Sequence, residues 1–420
     1  MLKPVSEITV IVIDSGGNYI SLAQRLARDC KKVYYCCNWQ TGFPKYNSYC
    51  VGLNVPDIER VDHWAEVVDE CDLLCFPDLY MGALQDWFVS KGKPVFGARL
   101  GENMEIYRDE FKELLESLNL PVNKYEVIKG FDALKTYLEA NEDKWVKTSI
   151  IRGNGETFHW NNKRLSESRL DELQHTLGAF KDEAVFVVET PILDAVEIGF
   201  DGFSISGLYP DIAMTGIEIK DAGYVGIIME YKKLPKVLQE INKQFSAFFA
   251  GTGYKCFFSN EVRWTGKEGY FIDATCRIPQ PPGDLQMELY ENFSEAVWQM
   301  AHGVVPELKP LGKFGAQIII KSDWATNDPQ AVYFPKKYAN RVKLKNLMYK
   351  DGLPYFIPGE VEMSEIGSVI GIGNTMDEAI ADARKIAATV EGDCITINAE
   401  ALDKAAGEIE KLKSFNINLI

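Results

Sequence analysis

Between residues 260 and 284 the chain reads NEVRWTGKEGYFIDATCRIPQPPGD, with two acids, Glu261 and Asp273, on either side of a turn at 265–269. The pattern predicts a β-hairpin, 261–264 against 270–273, whose two carboxylates can face one point in space. Thr275 and Arg277 follow Asp273 at intervals of two, which puts them on the same face of an extended strand. An acid, an oxygen ligand and a forked cation in one row suit Mg²⁺ and the phosphates it carries. Mg²⁺ takes a few carboxylate oxygens together with phosphate oxygens, and arginine grips phosphate by two parallel bonds. An amphipathic hairpin with a solvated polar face would carry the same residues.

Two further stretches can supply the rest of a nucleotide site. Residues 147–157, KTSIIRGNGET, place Lys147 at a strand end and Arg152 beside Gly153 and Gly155. Backbone N–H groups and two cations there can fold over a triphosphate, although an ordinary hairpin turn reads the same way. Glu189 and Glu197 flank the end of a strand predicted at 185–188, where purine and ribose groups can be held.

The elements that must position these residues follow from periodicity. An apolar run at 8–13, the turn Asp14-Ser15-Gly16-Gly17-Asn18 and a helical pattern from Ile20 to Ala27 open an α/β unit. Strands at 32–37, 72–76 and 94–97, alternating with helices at 61–70 and 80–91, predict a doubly wound parallel sheet of four or five strands. The turn lacks the spaced glycine trio of a dinucleotide fingerprint, so an oxidoreductase reading rests on Gly16 and Gly17 alone; they either let the chain turn or approach a ligand. A helix follows at 102–119. From 122 to 205 come short strands at 124–127, 144–146 and 185–188, with helices at 130–142 and 167–177. After 314 the pattern gives strands at 316–321, 331–334, 361 and 367–373, then helices at 375–390 and 399–413.

The 420 residues exceed one ordinary core, so two to four domains are expected. A net charge of −16 with no basic run argues against a grip on a nucleic-acid backbone, while 46% hydrophobic content says folded. The nine cysteines fall mostly in apolar runs without paired CxxC motifs, as reduced core thiols do. The start lacks the pattern of a signal peptide and no apolar run approaches membrane-spanning length, so a cytoplasmic protein with no membrane partner is expected. The four histidines are scattered and no serine lies in a GxSxG elbow, which removes zinc-protease and triad chemistry.

Taken in order, the glycine turn, the strand-end Lys147 with its glycine loop, Glu189 and Glu197, and the Glu261 and Asp273-Ala274-Thr275-Cys276-Arg277 hairpin resemble the ATP-grasp ligases. The closing segment Gly371-Ile372-Gly373-Asn374-Thr375-Met376-Asp377-Glu378-Ala379 is similar to the family's G-x-T-x-x-E-A turn and helix. The nearest likeness within the family is to glycinamide ribonucleotide synthetase (phosphoribosylamine–glycine ligase), over nearly the whole chain. The resemblance implies an α/β chain, α+β overall. It would hold a doubly wound pre-ATP-grasp domain at 1–121, an ATP-grasp small subdomain or ATP lid at 122–205, a large subdomain with the metal site at 206–312 and a closing domain at 313–420.

It also implies ATP and Mg²⁺, with Mn²⁺ as an alternative. Arg108, Lys147 and the loop with Arg152, Gly153 and Gly155 would meet the phosphates, Glu189 the adenine and Glu197 the ribose. Glu261, Asp273 and Thr275 would hold the metal. Arg277 would face the transferred phosphate, with Lys220 and Asp284 near the acceptor; a solvated lysine and a turn-capping acid remain the alternatives for those two. The reaction implied is amide formation between a small carboxylate and a small amine through an acyl phosphate, in a monomer or homodimer. The chain departs from the family at three places. Arg108 stands for a lysine, Asp273-x-Thr275-x-Arg277 stands for Glu-x-Asn-x-Arg, and 211–231 replaces a glycine-rich acceptor loop. These changes leave two alternatives: a ligase with another amine, including the nucleotide-type amines of bacteriophage relatives, or a nucleotide-binding scaffold with reduced turnover.

Overall fold

The computed structural model describes residues 2–37, 49–151, 156–325, 328–358 and 365–420, and the chain forms two compact units. The first comprises Met1–Gly101, Ile198–Ser259 and Thr275–Ile420; the second comprises Glu102–Glu197 and Asn260–Ala274.

In the first unit β1 (Thr9–Ile13), β2 (Lys32–Cys36), β3 (Glu59–Val61), β4 (Leu73–Cys75) and β5 (Val95–Phe96) form a parallel sheet in the order β3-β2-β1-β4-β5. Val10, Ile11, Val12, Tyr35, Leu73 and Leu74 are all buried, as continuous apolar strands covered on both faces must be. The helix expected at 61–70 is instead the end of β3 followed by two short 3₁₀ turns, Trp64–Glu66 and Val68–Glu70. The His63 ring accepts the Ala65 N–H at 3.1 Å, which offers the backbone a local partner in place of a helical one. The remainder of this unit is antiparallel, with Ile212–Ile219, Gly223–Glu230, Phe314–Ser322, Glu365–Gly373 and Val342–Leu344 side by side in that order.

The GNTMDEA segment has a local physical cause. Thr375 accepts the Glu378 N–H and Glu378 reaches back to the Thr375 N–H, each at 3.2 Å, a capping box that starts the helix Met376–Ala387. That helix lies directly on the strand before it, because a Cβ at Gly371 would stand 2.2 Å from the Ala379 carbonyl oxygen and 2.3 Å from the Ala383 nitrogen. Gly371→Ala is therefore expected to cost about 1–3 kcal/mol by overpacking, read as a lower urea midpoint at unchanged slope. The strand expected at 361 lies outside the described residues, and the last helix begins as a 3₁₀ turn, Ala399–Asp403, before Lys404–Ser414.

The second unit is an antiparallel sheet of β6 (Tyr125–Lys129), β7 (Lys144–Thr148), β8 (Thr157–Trp160) and β9 (Val185–Glu189), ordered β6-β9-β7-β8. Helices Phe131–Ala140 and Lys163–Leu177 supply Leu134, Leu138, Leu170 and Leu173 to a core closed by Val146, Trp160 and Phe186. The Trp160 indole N–H finds the Leu138 carbonyl at 2.9 Å, so its burial leaves no orphan donor. The single helix expected at 102–119 breaks at Tyr107 into Asn103–Ile106 and Arg108–Ser117. Two bonds from the segment after β7 fix the break: the Arg108 N–H goes to the Ser149 hydroxyl at 3.0 Å, and the Ile150 N–H goes to the Ile106 carbonyl at 2.7 Å. The expected hairpin is present as Lys255–Trp264 and Gly269–Thr275, turned by Thr265–Glu268 pairing, with Phe271 set edge-on to Phe111 at 5.1 Å. No helix among the described residues is long and apolar enough to cross a membrane.

Candidate functional site

The break at Tyr107 makes Arg108 the first residue of its helix, and Lys112, four residues on, shares its face. Each is only 2% exposed. The Arg108 guanidinium donates to the carboxylates of Asp273 and Glu156. Lys112 pairs with Glu189 and donates to the Asn123 side-chain carbonyl at 2.9 Å. On β7, Lys147 lies on the same sheet face as Glu189, because Trp145 is directly opposite Glu189 and Lys147 is its diagonal neighbour. Its ammonium donates to the Ile272 carbonyl and stands 3.5 Å from the second oxygen of Glu189. Three buried cations and the acids Glu156, Glu189 and Asp273 thus converge from one helix, two sheet strands, the turn before β8 and the hairpin.

Burial dominates the electrostatics of this cluster. It opposes ionisation of Glu189, yet the Lys147 and Lys112 ammonium groups outweigh it and hold the carboxyl below its ordinary value. Lys112 is lowered, first by burial and then by Lys147, against the pull of Glu189. Burial would also lower Arg108, but Asp273 and Glu156 more than reverse that. Glu261 is pushed well above the carboxylate range, first by burial, then by the Glu197 charge and hydrogen bond and by Asp273. Like-charged carboxylates crowded in this way gain most from a divalent cation. Arg263 sits 3.2 Å from Glu197 and offsets part of that crowding. Among the described residues no three acids, histidines or cysteines are gathered as a ready-made metal cage.

No family model and no curated protein matches the chain. Solved structures do. Phosphoribosylamine–glycine ligase from Thermotoga maritima superposes with a TM-score of 0.71 at 14% identity, covering 93% of this chain and 99% of its own. The biotin carboxylase domain of 2-oxoglutarate carboxylase from Hydrogenobacter thermophilus, solved with magnesium ADP and bicarbonate, gives 0.65 at 13%, covering 100% and 97%. N5-carboxyaminoimidazole synthetase from Staphylococcus aureus, solved with ADP, gives 0.59 at 13%, covering 91% and 98%. The chain has the ATP-grasp fold.

Within that ATP-grasp fold the structure brings together Arg108, Lys147, Glu189 and Asp273 in the second unit, with Glu261 and Glu197 crowded together beside them. Arg152, Gly153 and Gly155 lie outside the described residues. Lys112 and Glu156 also belong to the cluster; Glu156 ends the loop expected to close over the phosphates, and Lys112 was not singled out. The signal for Lys112 was present in the four-residue spacing from Arg108 on one helix face.

Thr275 and Arg277 fall in the first unit, as do Lys220 and Asp284. There Arg277 donates to the Tyr19 hydroxyl and lies 4.0 Å from Asp78. Lys220 is exposed at the turn between Ile212–Ile219 and Gly223–Glu230, so the segment expected as a loop is a paired hairpin. Asp284 occupies the first turn of the helix Gly283–Leu289 and accepts the Ser368 hydroxyl at 3.0 Å. The amides of the glycine turn are engaged: Asp14 accepts the N–H groups of Gly16, Gly17 and Tyr19 at 3.2, 3.0 and 2.8 Å. Burial and Asp78 raise the Asp14 carboxyl to about 6. Gly17 takes a positive φ of 77°, and a Cβ there would stand 2.7 Å from the Asn346 side-chain oxygen. Gly17→Ala is accordingly expected to destabilise the protein by about 1–3 kcal/mol, measurable by urea unfolding.

Proposed function

We propose that this protein is an ATP-dependent carboxylate–amine ligase, an enzyme of small substrates whose nucleotide site is the cation and carboxylate cluster of the second unit. The observation that carries the reading is the convergence of Arg108 and Lys147 with Asp273 and Glu189, in a fold shared over most of its length with proteins solved with ADP. Lys147 and Arg108 meet the phosphates, the backbone beyond Glu189 meets the purine, and Glu197 meets the ribose hydroxyls. Arg277, Lys220 and Asp284 serve the transferred phosphate and the acceptor. Glu261 and Asp273 would hold Mg²⁺, for which two hard carboxylates completed by phosphate oxygens are a fitting donor set. When bound, that ion neutralises charge on the transferring phosphoryl group.

In the reaction, a carboxylate oxygen of one substrate attacks the γ-phosphorus and the bond to the ADP oxygen breaks, giving an acyl phosphate. The amine nitrogen then attacks the acyl carbon, inorganic phosphate leaves, and the nitrogen loses a proton. Arg108 and Lys147 hold the phosphates in line and offset the charge that spreads over the equatorial oxygens. No protein nucleophile is needed, because positioning and electrostatics carry the step. Asp273 keeps the Arg108 guanidinium aimed into the site. The difference from the synthetase at 211–231 supports a different amine acceptor, a nucleotide-type amine among the candidates, on an otherwise retained reaction.

The test is ADP release from magnesium ATP against a panel of amino acids and amines, run beside Asp273→Ala. Release that requires one carboxylate and one amine, and falls by roughly 100-fold or more in the variant, is expected. Nucleotide binding without turnover for any pair would replace the ligase by a scaffold, and no nucleotide binding would end the reading.

A further inference from the structure

Lys112 is absorbed by none of the roles above, yet it is among the most buried charged side chains of the second unit. Its surroundings are fully specified. The ammonium pairs with one oxygen of Glu189, and the other oxygen of that carboxylate faces Lys147 at 3.5 Å. A second arm goes to the Asn123 side-chain oxygen at 2.9 Å, and the Asn123 amide in turn donates to the Thr190 carbonyl at 3.1 Å. The ring of Tyr125 lies under the ammonium at 5.6 Å. Lys112 therefore grips both the carboxylate beside Lys147 and the backbone where β9 ends.

We propose that Lys112 is a positioning residue for nucleotide binding, acting through the carboxylate of Glu189, which it shares with Lys147. This rests on the nucleotide site proposed above and changes the part Glu189 plays there. With both oxygens between two ammonium groups, the carboxylate holds the phosphate lysine in place, and purine recognition falls to the backbone after it. A carboxylate bound by Lys147 alone could rotate and draw that lysine toward itself, away from the phosphates. Held from behind by Lys112, it fixes the distance, and the second cation keeps the trio one positive charge in excess, available to an anion. The second arm, through Asn123 to Thr190, ties the same lysine to the strand exit.

The experiment is a double-mutant cycle on the full chain with Lys112→Met, Glu189→Gln and both, reading magnesium ADP and adenosine affinity by calorimetry. Lys112→Met is expected to weaken ADP binding about tenfold, the scale of one buried charge-assisted contact, while adenosine, which has no phosphates, binds as before. Adding Lys112→Met to Glu189→Gln is expected to change ADP affinity by less than about threefold, because the shared carboxylate charge is already gone. Unaltered ADP affinity in Lys112→Met, fully additive effects, or an equal loss for adenosine would overturn the proposal.

Lys112→Gln, which keeps a donor for Asn123, is run alongside. If neither variant melts cooperatively, Lys112 is a folding residue and the proposal falls. Failure of the wild-type chain to bind ADP would instead remove the nucleotide site itself, so the two readings fail separately.

Discussion

Replacing Lys147 by methionine is expected to slow substrate-dependent ADP release by roughly 10²–10³-fold, the loss seen when one preorganised donor to developing charge is removed. Lys147 stands on β7 with its ladder to β8 and β9 complete, so the strand does not depend on the side chain for its pairing. Methionine keeps the length of the stem and removes the ammonium with its charge and its donors. What is lost is an ammonium held between the Ile272 carbonyl and Glu189. In a buried site such a charge acts at low effective dielectric and costs little reorganisation when phosphoryl charge spreads. The variant also leaves Glu189 with Lys112 as its remaining ammonium partner in that trio. Turnover and ADP affinity are measured together with a thermal melt. A melt within a few degrees of wild type with turnover down at least 100-fold is the expected pair of results. Turnover within tenfold of wild type would remove Lys147 from the phosphate site.

Much of this arrangement was legible in the sequence, for identifiable reasons. The apolar runs of β1, β2 and β4 and the punctuation after each specify a parallel sheet because both faces must be covered. The hairpin is read at 261–264 and 270–273 from its turn and its flanking acids, Glu261 and Asp273, and its strands extend further, over Lys255–Trp264 and Gly269–Thr275. The T-x-x-E of Thr375 and Glu378 announces a capping box by spacing alone.

What the sequence concealed depends on partners far along the chain. The break at Tyr107 needs the Ser149 hydroxyl, forty-odd residues away, and Leu, Phe and Met periodicity runs across it unchanged. The helix expected at 61–70 gives way to a local histidine cap that periodicity does not register. Glu156 carried no sign of its contact with Arg108, since it follows a glycine loop in which any polar residue is at home. Lys112 read as one more charge on an amphipathic helix; only the fold shows that this face is the buried one. Glu189 was found as a site residue for a purine, while its observed partners are two lysines.

The carboxylates of the hairpin give the second large effect, a linkage between pH, metal and stability. Glu261 is held protonated well above its ordinary 4.5, first by burial, then by Glu197 and by Asp273. The folded chain therefore keeps a proton that the unfolded chain releases from about pH 4.5 upward. Since the folded state binds more protons in that window, stability must fall as pH rises. The contribution is complete below 4.5 and is lost as pH climbs through the raised value of the folded state. Glu261→Gln, neutral at every pH, removes this slope. Its melting temperature should gain on that of wild type as pH rises above 4.5 in the absence of divalent metal. Mg²⁺ with ADP is expected to reverse the order at pH 8, because an ion held by Glu261 and Asp273 would take the place of the proton and reward ionisation in wild type alone. Melts of both proteins across pH 5–8, with and without magnesium ADP, read this directly. Parallel pH curves would show that Glu261 ionises as an ordinary carboxylate. Equal stabilisation of both proteins by magnesium ADP at pH 8 would place the metal elsewhere.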